Sequence, residues 1–223
     1  MSNISDLREK IEKYAAYRDI SVEVKEESKL MKIIAKILFF NPKFMTDYIT
    51  TIGSTVYFPR EDISNDVTVW EVLPHEMIHA DDSRRLGPLF GFLYLFPQIL
   101  AILSLLAFGA LGGNLNWLYW LLFLPCVAPI PAYWRMKYEM RAYGMTMAIK
   151  YWMNCEGTEN KMKPPSYIVK QFLGQWYYWM FPFRGYVEKE LAWWLDQIER
   201  DTLRNHLPFV DDIHQMVKDS KDQ

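Results

Sequence analysis

A five-residue segment, His75-Glu76-Met77-Ile78-His79, contains the residue types of a metal centre. On an α-helix, residues four apart lie one turn apart on the same face, so His75 and His79 can bind one metal ion. Glu76 projects beside them. Zinc hydrolases combine two neutral imidazoles that hold Zn²⁺ with a carboxylate that takes a proton from a water molecule. The alternative is a helix whose histidines have this spacing by chance, and the rest of the sequence has to distinguish the two.

Composition favours a globular chain with an ample core. The 223 residues are 51% hydrophobic, which suits one medium domain or a small domain with an insertion. The formal net charge of −2 gives no reason to expect a nucleic-acid partner. Cys126 and Cys155 form no disulfide framework and are interpreted as reduced thiols of a cytosol-facing protein. Residues 1–10 are polar and charged and predict no signal peptide.

Charged residues are absent from one long stretch, Leu86 to Trp134. It contains an apolar run from Leu89 to Leu111, a turn signal at residues 112–114 and a second apolar run from Leu115 to Pro131. At about 23 and about 17 residues, these runs predict two antiparallel transmembrane helices. The alternative is a water-soluble helical hairpin that the rest of the domain or partner chains bury.

Basic residues flank this stretch on both sides, whereas its tip is uncharged. Arg84 and Arg85 precede it, and Arg135, Lys137 and Arg141 follow it. The positive-inside rule then places both ends, and everything outside the hairpin, on the cytoplasmic side of a membrane.

The N-terminal part predicts helices and a few short strands. We expect an amphipathic helix over Ser5–Ile20, a strand over Ser21–Glu26, and one or two strands around Gly53 within Ile49–Phe58. Glu27 to Phe40 has helical apolar spacing, with lysines at positions 29, 32 and 36. Such a helix can lie on an anionic membrane surface, but more often it faces a core and keeps its lysines in water.

The later segments are predicted to be mainly helical. The helix that carries the motif is predicted to start near residues 66–72. Pro74 is unfavourable inside a helix, so the helix either begins near Leu73 or is kinked there. We expect a helix over Trp134–Tyr151, an amphipathic helix over Gly185–Asn205 and a polar tail after it. An aromatic cluster over Trp176–Phe181 suits a membrane interface, a substrate groove or a buried core.

Glu139 is the best candidate for a third metal ligand. A catalytic zinc site needs three protein ligands and one open position. The two members of a hairpin run out and back, so the chain leaves it next to the point of entry. This topology brings Glu139, which follows the hairpin, towards His75 and His79. The alternative for Glu139 is a surface or salt-bridged carboxylate.

With these motifs the chain resembles the integral-membrane gluzincin metalloendopeptidases, which include the HtpX-type heat-shock protease and the CAAX prenyl protease. Glu71 to His79 looks like the family's first motif, the apolar hairpin is similar in placement, and residues 139–142 resemble its E-x-x-A-D motif. Tyr143 stands where the family usually has Asp, which supports a zinc-ligating His. Asp81 or Asp82 could substitute, although solvated acids are the commoner role. The family's N-terminal transmembrane pair is missing.

The resemblance implies a zincin-like metalloprotease domain with one Zn²⁺ ion held by His75, His79 and Glu139. Glu76 would be the general base in the hydrolysis of a polypeptide substrate. His206, Tyr143 and Arg141 are possible donors to the developing oxyanion. A strand within Thr55–Phe58 would pair with the extended substrate.

The sequence therefore predicts a mainly α fold with a small β-sheet (α+β) and an inserted apolar helical hairpin. We divide the chain into an N-terminal helical segment (1–48), a sheet and motif helix (49–85), the insertion (86–134) and the third-ligand and C-terminal helices (135–223). The predicted function is that of a membrane-associated zinc endopeptidase whose partners are a polypeptide and a lipid bilayer. The alternatives are a non-catalytic zinc-binding structural or assembly protein and a membrane-anchored binding module.

Overall fold

The computed structural model describes residues 2–39, 41–60, 69–128, 130–174, 177 and 179–221. It is mostly helical with one small three-stranded sheet, which confirms the predicted α+β composition. The strands are β1 (Ser21–Val24), β2 (Thr50–Ile52) and β3 (Thr55–Phe58), and the α-helices are α1 (Ser2–Tyr17), α2 (Lys29–Ile37), α3 (Val69–Leu86), α4 (Pro88–Leu95), α5 (Tyr133–Asn154), α6 (Ser166–Leu173), α7 (Arg184–Glu199) and α8 (Val210–Lys221). Segments of 3₁₀ helix cover Pro42–Phe44, Gln98–Gly112, Leu115–Val127 and Leu203–Asn205.

The described chain forms two compact units. The first consists of residues 1–87, 141–162 and 194–223, and the second of residues 88–140 and 163–193. Helix α5 is one continuous helix whose residues up to Met140 belong to the second unit and whose residues from Arg141 belong to the first.

The sheet has the strand order β1-β3-β2. β1 pairs with β3 in parallel, and β2 pairs with β3 in an antiparallel hairpin whose turn includes Gly53 at φ +62°. Glycine adopts this left-handed conformation without steric cost. β3 is therefore the central strand, with both backbone edges occupied. The expectation that a substrate pairs with a strand within Thr55–Phe58 is wrong for this reason, and β2 is an edge strand instead.

The core of the first unit includes α1 and α8, which pack against each other. Leu7, Ile11 and Ala15 of α1 are fully buried, as their helical spacing predicts. The prediction of a polar tail is wrong, because this part of the chain forms helix α8. Although its sequence is highly charged, α8 has an apolar face that is buried. Its face consists of Val210, Ile213 and Val217.

Helix α3 continues through its internal proline. It is described from Val69, within the predicted start region 66–72 and before Pro74, and this excludes only the alternative start near Leu73. Proline lacks an N–H group and donates no helical hydrogen bond at this point. Two ion pairs join α3 to α5, from Lys150 to Glu71 at 2.8 Å and from Arg141 to Asp82 at 2.5 Å.

The apolar insertion of the second unit is a hairpin of broken segments. Where one continuous helix over Leu89–Leu111 was predicted, α4 ends before Pro97 and the following 3₁₀ segment is bent from it by 87°. Proline cannot donate a helical hydrogen bond, and its ring disfavours helical geometry in the residue before it. The segments Gln98–Gly112 and Leu115–Val127 pack together across the predicted turn, where Gly113 has φ +90°.

Within the described residues, the length and apolar character needed to cross a bilayer occur in no single helix. The bent pair of α4 and Gln98–Gly112 meets both criteria when taken together.

The predicted aromatic cluster over Trp176–Phe181 lies partly outside the described residues, since residues 176 and 178 are not among them. Of the others, Phe181 is buried and Trp179 is 45% exposed.

Candidate metal centre

Three side chains that can bind a metal meet in the folded chain. His75 and His79 lie one turn apart on α3, with their ring centroids 5.0 Å apart. Together with Glu139 of α5 they offer one ligand atom each, and these atoms all lie within 4.8 Å of one another. All three residues are buried. This group could hold a metal ion, as the sequence predicted.

The donor set fits a divalent ion. Two imidazoles and one carboxylate are a ligand combination of catalytic zinc sites, and tetrahedral ligation would bring the ligand atoms to about 3.4 Å apart. The three ligands leave a fourth position for water or substrate.

Two tyrosines orient the carboxylate of Glu139. The hydroxyl of Tyr94 donates a hydrogen bond to Oε1, and the hydroxyl of Tyr177 donates one to Oε2 at 3.2 Å. The guanidinium of Arg135 lies over both tyrosine rings, 5.0 and 5.4 Å from their centroids. A buried carboxylate without hydrogen-bond donors would be strongly destabilising. These contacts therefore stabilise Glu139 in its buried position.

His75 contacts two residues that follow Glu139 on α5. Its Nδ1 atom lies 3.2 Å from Oγ1 of Thr146, and the ring of Tyr143 packs edge-on against the imidazole at 4.7 Å. A hydrogen bond at Nδ1 fixes the ring and leaves Nε2 for a metal. Thr146 therefore makes the polar contact that supports His75.

Asp82 is fully buried, and its predicted role as a solvated acid is wrong. Its carboxylate accepts hydrogen bonds from Arg141 at 2.5 Å and Arg85 at 3.0 Å. Burial raises the pKa of Asp82, while the neighbouring side chains of Arg141, His79 and Arg85 oppose that shift. Arg141, one of the candidate oxyanion donors, is therefore engaged in an ion pair with Asp82.

Glu76 is buried beside the sheet. Thr51 of β2 donates a hydrogen bond from Oγ1 to Oε2 of Glu76 at 2.6 Å. Lys25 is fully buried nearby, and its Nζ donates to the Phe44 carbonyl at 2.7 Å and lies 4.0 Å from the Phe44 ring centroid. Burial lowers the pKa of Lys25 to about 8, and the negative charge of Glu76 opposes the shift. The carboxylate of Glu76 thus has both a hydrogen-bond donor and a nearby cation.

The other two predicted catalytic residues have different positions. Tyr143 is buried against His75, next to the metal-binding group. His206 is exposed, and its ring contacts the edge of Trp194 at 6.3 Å. Within the described residues, the metal-binding group does not include His206.

The sequence reasoning missed the residues that support the centre. Thr146 had a readable signal, because it follows Glu139 by seven positions and so lies on the same helix face. No such sequence signal existed for the other supporting residues, since their contacts with the centre join distant parts of the chain. These residues are Tyr94, Tyr177, Thr51 and Lys25.

Comparison of the chain with protein-family models, curated proteins and solved structures finds no match.

Proposed function

We propose that this chain is a membrane-associated zinc endopeptidase of the gluzincin type. The observation that carries the proposal is the buried group of His75, His79 and Glu139, next to the carboxylate of Glu76. A site that only stores a metal has no use for a general base one residue from a ligand. The resemblance to the HtpX-type and CAAX prenyl proteases supports the same reaction.

Each residue has a role in peptide hydrolysis. His75, His79 and Glu139 would hold the ion, and zinc, when bound, acidifies a water molecule and polarises the peptide carbonyl. Glu76 accepts the proton of the attacking water and later delivers it to the leaving amine. Thr51 holds Glu76 in one orientation by its 2.6 Å hydrogen bond.

Tyr143 is the favoured donor to the developing oxyanion. Its buried position beside His75 places it next to the metal-binding group, whereas His206 is exposed. A phenol hydroxyl can donate a hydrogen bond to a negative oxygen that forms during the reaction.

An extended polypeptide is the proposed substrate, and β2 is the proposed strand that binds it. Among the described residues β2 pairs only with β3, so its second edge has free backbone groups for an added strand. Thr51 lies on this strand and contacts Glu76, which links the peptide-binding edge to the general base.

A bilayer is the proposed environment of the apolar insertion. The bent pair of α4 and Gln98–Gly112 has, taken together, the length and apolar composition of a membrane span, and Leu115–Val127 is a shorter apolar segment beside it. They have no charged side chain and expose large apolar ones, including Leu111 and Leu122. The flanking basic residues favour a cytoplasmic position for the rest of the chain.

A peptidase assay with Glu76→Gln tests the enzymatic proposal. We expect wild-type protein to hydrolyse an unfolded polypeptide, to lose this activity to a chelator and to regain it with Zn²⁺. Glu76→Gln should bind zinc normally and lose at least about 100-fold in rate, because the general base is removed. Asp81→Asn makes the same carboxylate-to-amide change on α3 and should keep its activity. Wild-type hydrolysis by Glu76→Gln would contradict the mechanism.

A non-catalytic zinc protein is the second candidate, because all three ligands are buried as in a structural site. In that case zinc removal would lower thermal stability, since metal binding is linked to folding. Wild-type protein would then show no chelator-sensitive hydrolysis, and Glu76→Gln would have no effect on function.

A further inference from the structure

Helix α2 has one face in the core. Met31 is fully buried and forms a cluster with Phe44 and Tyr57, against which Ile34, Ala35 and Leu38 pack. This face accounts for the stable position of α2 in the fold. It does not account for the other apolar residues of the helix.

A second apolar face points away from that core. Leu30, Ile33 and Ile37 are 44%, 57% and 66% exposed, and their spacing of three and four residues places them on one side of α2. Phe39, two residues beyond the helix, is 83% exposed. A single exposed leucine is ordinary on a protein surface, but an apolar stripe that repeats at helical spacing indicates a contact surface.

A row of lysines runs beside this stripe. Each of its three apolar residues directly follows a lysine, so the lysine row is rotated by about 100° around the axis. All three lysines are exposed, and none forms an ion pair with an acidic side chain in the described parts of the chain. The row consists of Lys29, Lys32 and Lys36. Apolar residues beside uncompensated cations match the interface of an anionic bilayer, where headgroup phosphates meet acyl chains.

We propose that α2 lies flat on the surface of an anionic lipid membrane. Ile33, Ile37 and Leu30 enter the boundary between headgroups and acyl chains, and the lysine row contacts the lipid phosphates. The sequence alone favoured a core-facing helix over a surface-lying one, and α2 has a separate face for each role. This contact is additional to the apolar insertion and depends on neither the metal nor peptide hydrolysis.

A fluorescent probe on α2 tests this proposal in the full-length chain. Cys126→Ala and Cys155→Ser remove the native thiols, and Ile33→Cys takes an environment-sensitive dye. After reconstitution into phosphatidylcholine–phosphatidylserine vesicles, the dye should shift to shorter wavelength and be quenched by lipid-attached quenchers. A dye at Gln215→Cys, on the exposed face of α8, should show neither effect.

Charge variants test the lysine row. Lys29→Gln, Lys32→Gln and Lys36→Gln together should lower the ratio of lipid-bound to water-exposed Ile33 dye roughly 100-fold, since each lysine near an anionic surface contributes about a fivefold factor. The same three-charge change at other exposed lysines should leave this ratio unchanged. That control variant combines Lys161→Gln, Lys163→Gln and Lys218→Gln.

Three results would overturn the proposal. The first is an unshifted Ile33 dye in anionic vesicles, and the second is an equal shift in vesicles of phosphatidylcholine alone. The third is a lipid-independent shift that grows with protein concentration, which would assign the face to a second copy of the chain. Glu76→Gln and chelator-treated protein should behave like wild type here, so failure of the enzymatic proposal would be seen separately.

Discussion

The metal centre and the apolar insertion reverse the usual distribution of polar and apolar residues. Around the centre, His75, Glu76 and Glu139 are buried. In the insertion, Leu111 and Leu122 are 87% and 77% exposed. Folded chains in water normally do the opposite. Stability in water does not explain either distribution, whereas the proposed metal centre and the proposed bilayer each account for one of them.

The two regions differ in what offsets the free-energy cost of their buried polar groups or exposed apolar groups. In the centre, buried polar groups have polar contacts within the chain: Thr146 for His75, Thr51 for Glu76, and Tyr94 with Tyr177 for Glu139. Such contacts reduce the free-energy cost of burying polar atoms. The exposed leucines of the insertion would lower the free energy only by contact with apolar groups outside the chain. For this reason we propose that a bilayer surrounds the insertion.

A charge in the insertion should have the largest effect. Under the bilayer proposal, Leu122→Lys places an ammonium group near the middle of an apolar segment and should disfavour membrane insertion by about 3 kcal/mol. Tyr17→Lys, at an exposed position of α1, should have no such effect. Insertion during cell-free synthesis with membrane vesicles measures both. Equal insertion of the two variants would favour the water-soluble hairpin.

The buried cation beside Glu76 should produce a pH dependence of stability. Because the pKa of Lys25 is lowered to about 8, the unfolded chain binds more protons than the folded chain between about pH 8 and pH 10. The Lys25 contribution to the free energy of unfolding should therefore rise by about 2 kcal/mol across this range.

Lys25→Met should remove this rise, and urea unfolding at several pH values measures it. Lys218→Met, at an exposed position of α8, is the control and should keep the wild-type pH dependence. A Lys25→Met variant with the same pH dependence as wild type would show that Lys25 is not the group responsible.

A smaller effect is expected from the hydroxyl that orients the third ligand. Tyr94→Phe removes one of the two hydrogen bonds to Glu139 and should weaken metal affinity about tenfold. This is the smallest loss expected for a residue that orients a metal ligand, because the hydrogen bond from Tyr177 remains. Tyr119→Phe makes the same change at an exposed position of the insertion. Competition with a fluorescent chelator measures both variants, and equal affinities would exclude an orienting role for Tyr94.

The three members of the possible metal-binding group could be predicted from local spacing and chain topology. The i, i+4 spacing of His75 and His79 fixes their common helix face, and the out-and-back insertion gives a topological reason for Glu139 to return. The short strands and the turn at Gly53 were also predicted from local residue types.

The rest depends on contacts between distant parts of the chain or on weak local signals. Nothing near Thr51 or Lys25 in the sequence indicates that they approach Glu76. The helix at Val210–Lys221 was missed because four apolar residues among many charged and polar ones give a weak pattern. The bend in the insertion had a signal in Pro97, which the uniform apolar composition around it obscured.

Metal content is the most direct test of the proposed centre. Purified wild-type chain should bind one zinc ion, His79→Ala should bind none, and Glu139→Gln should bind it much more weakly. His206→Ala should keep wild-type zinc content, because this histidine lies outside the metal-binding group. Full zinc occupancy in His79→Ala would contradict the assignment of the ligands and, with it, the proposed enzyme.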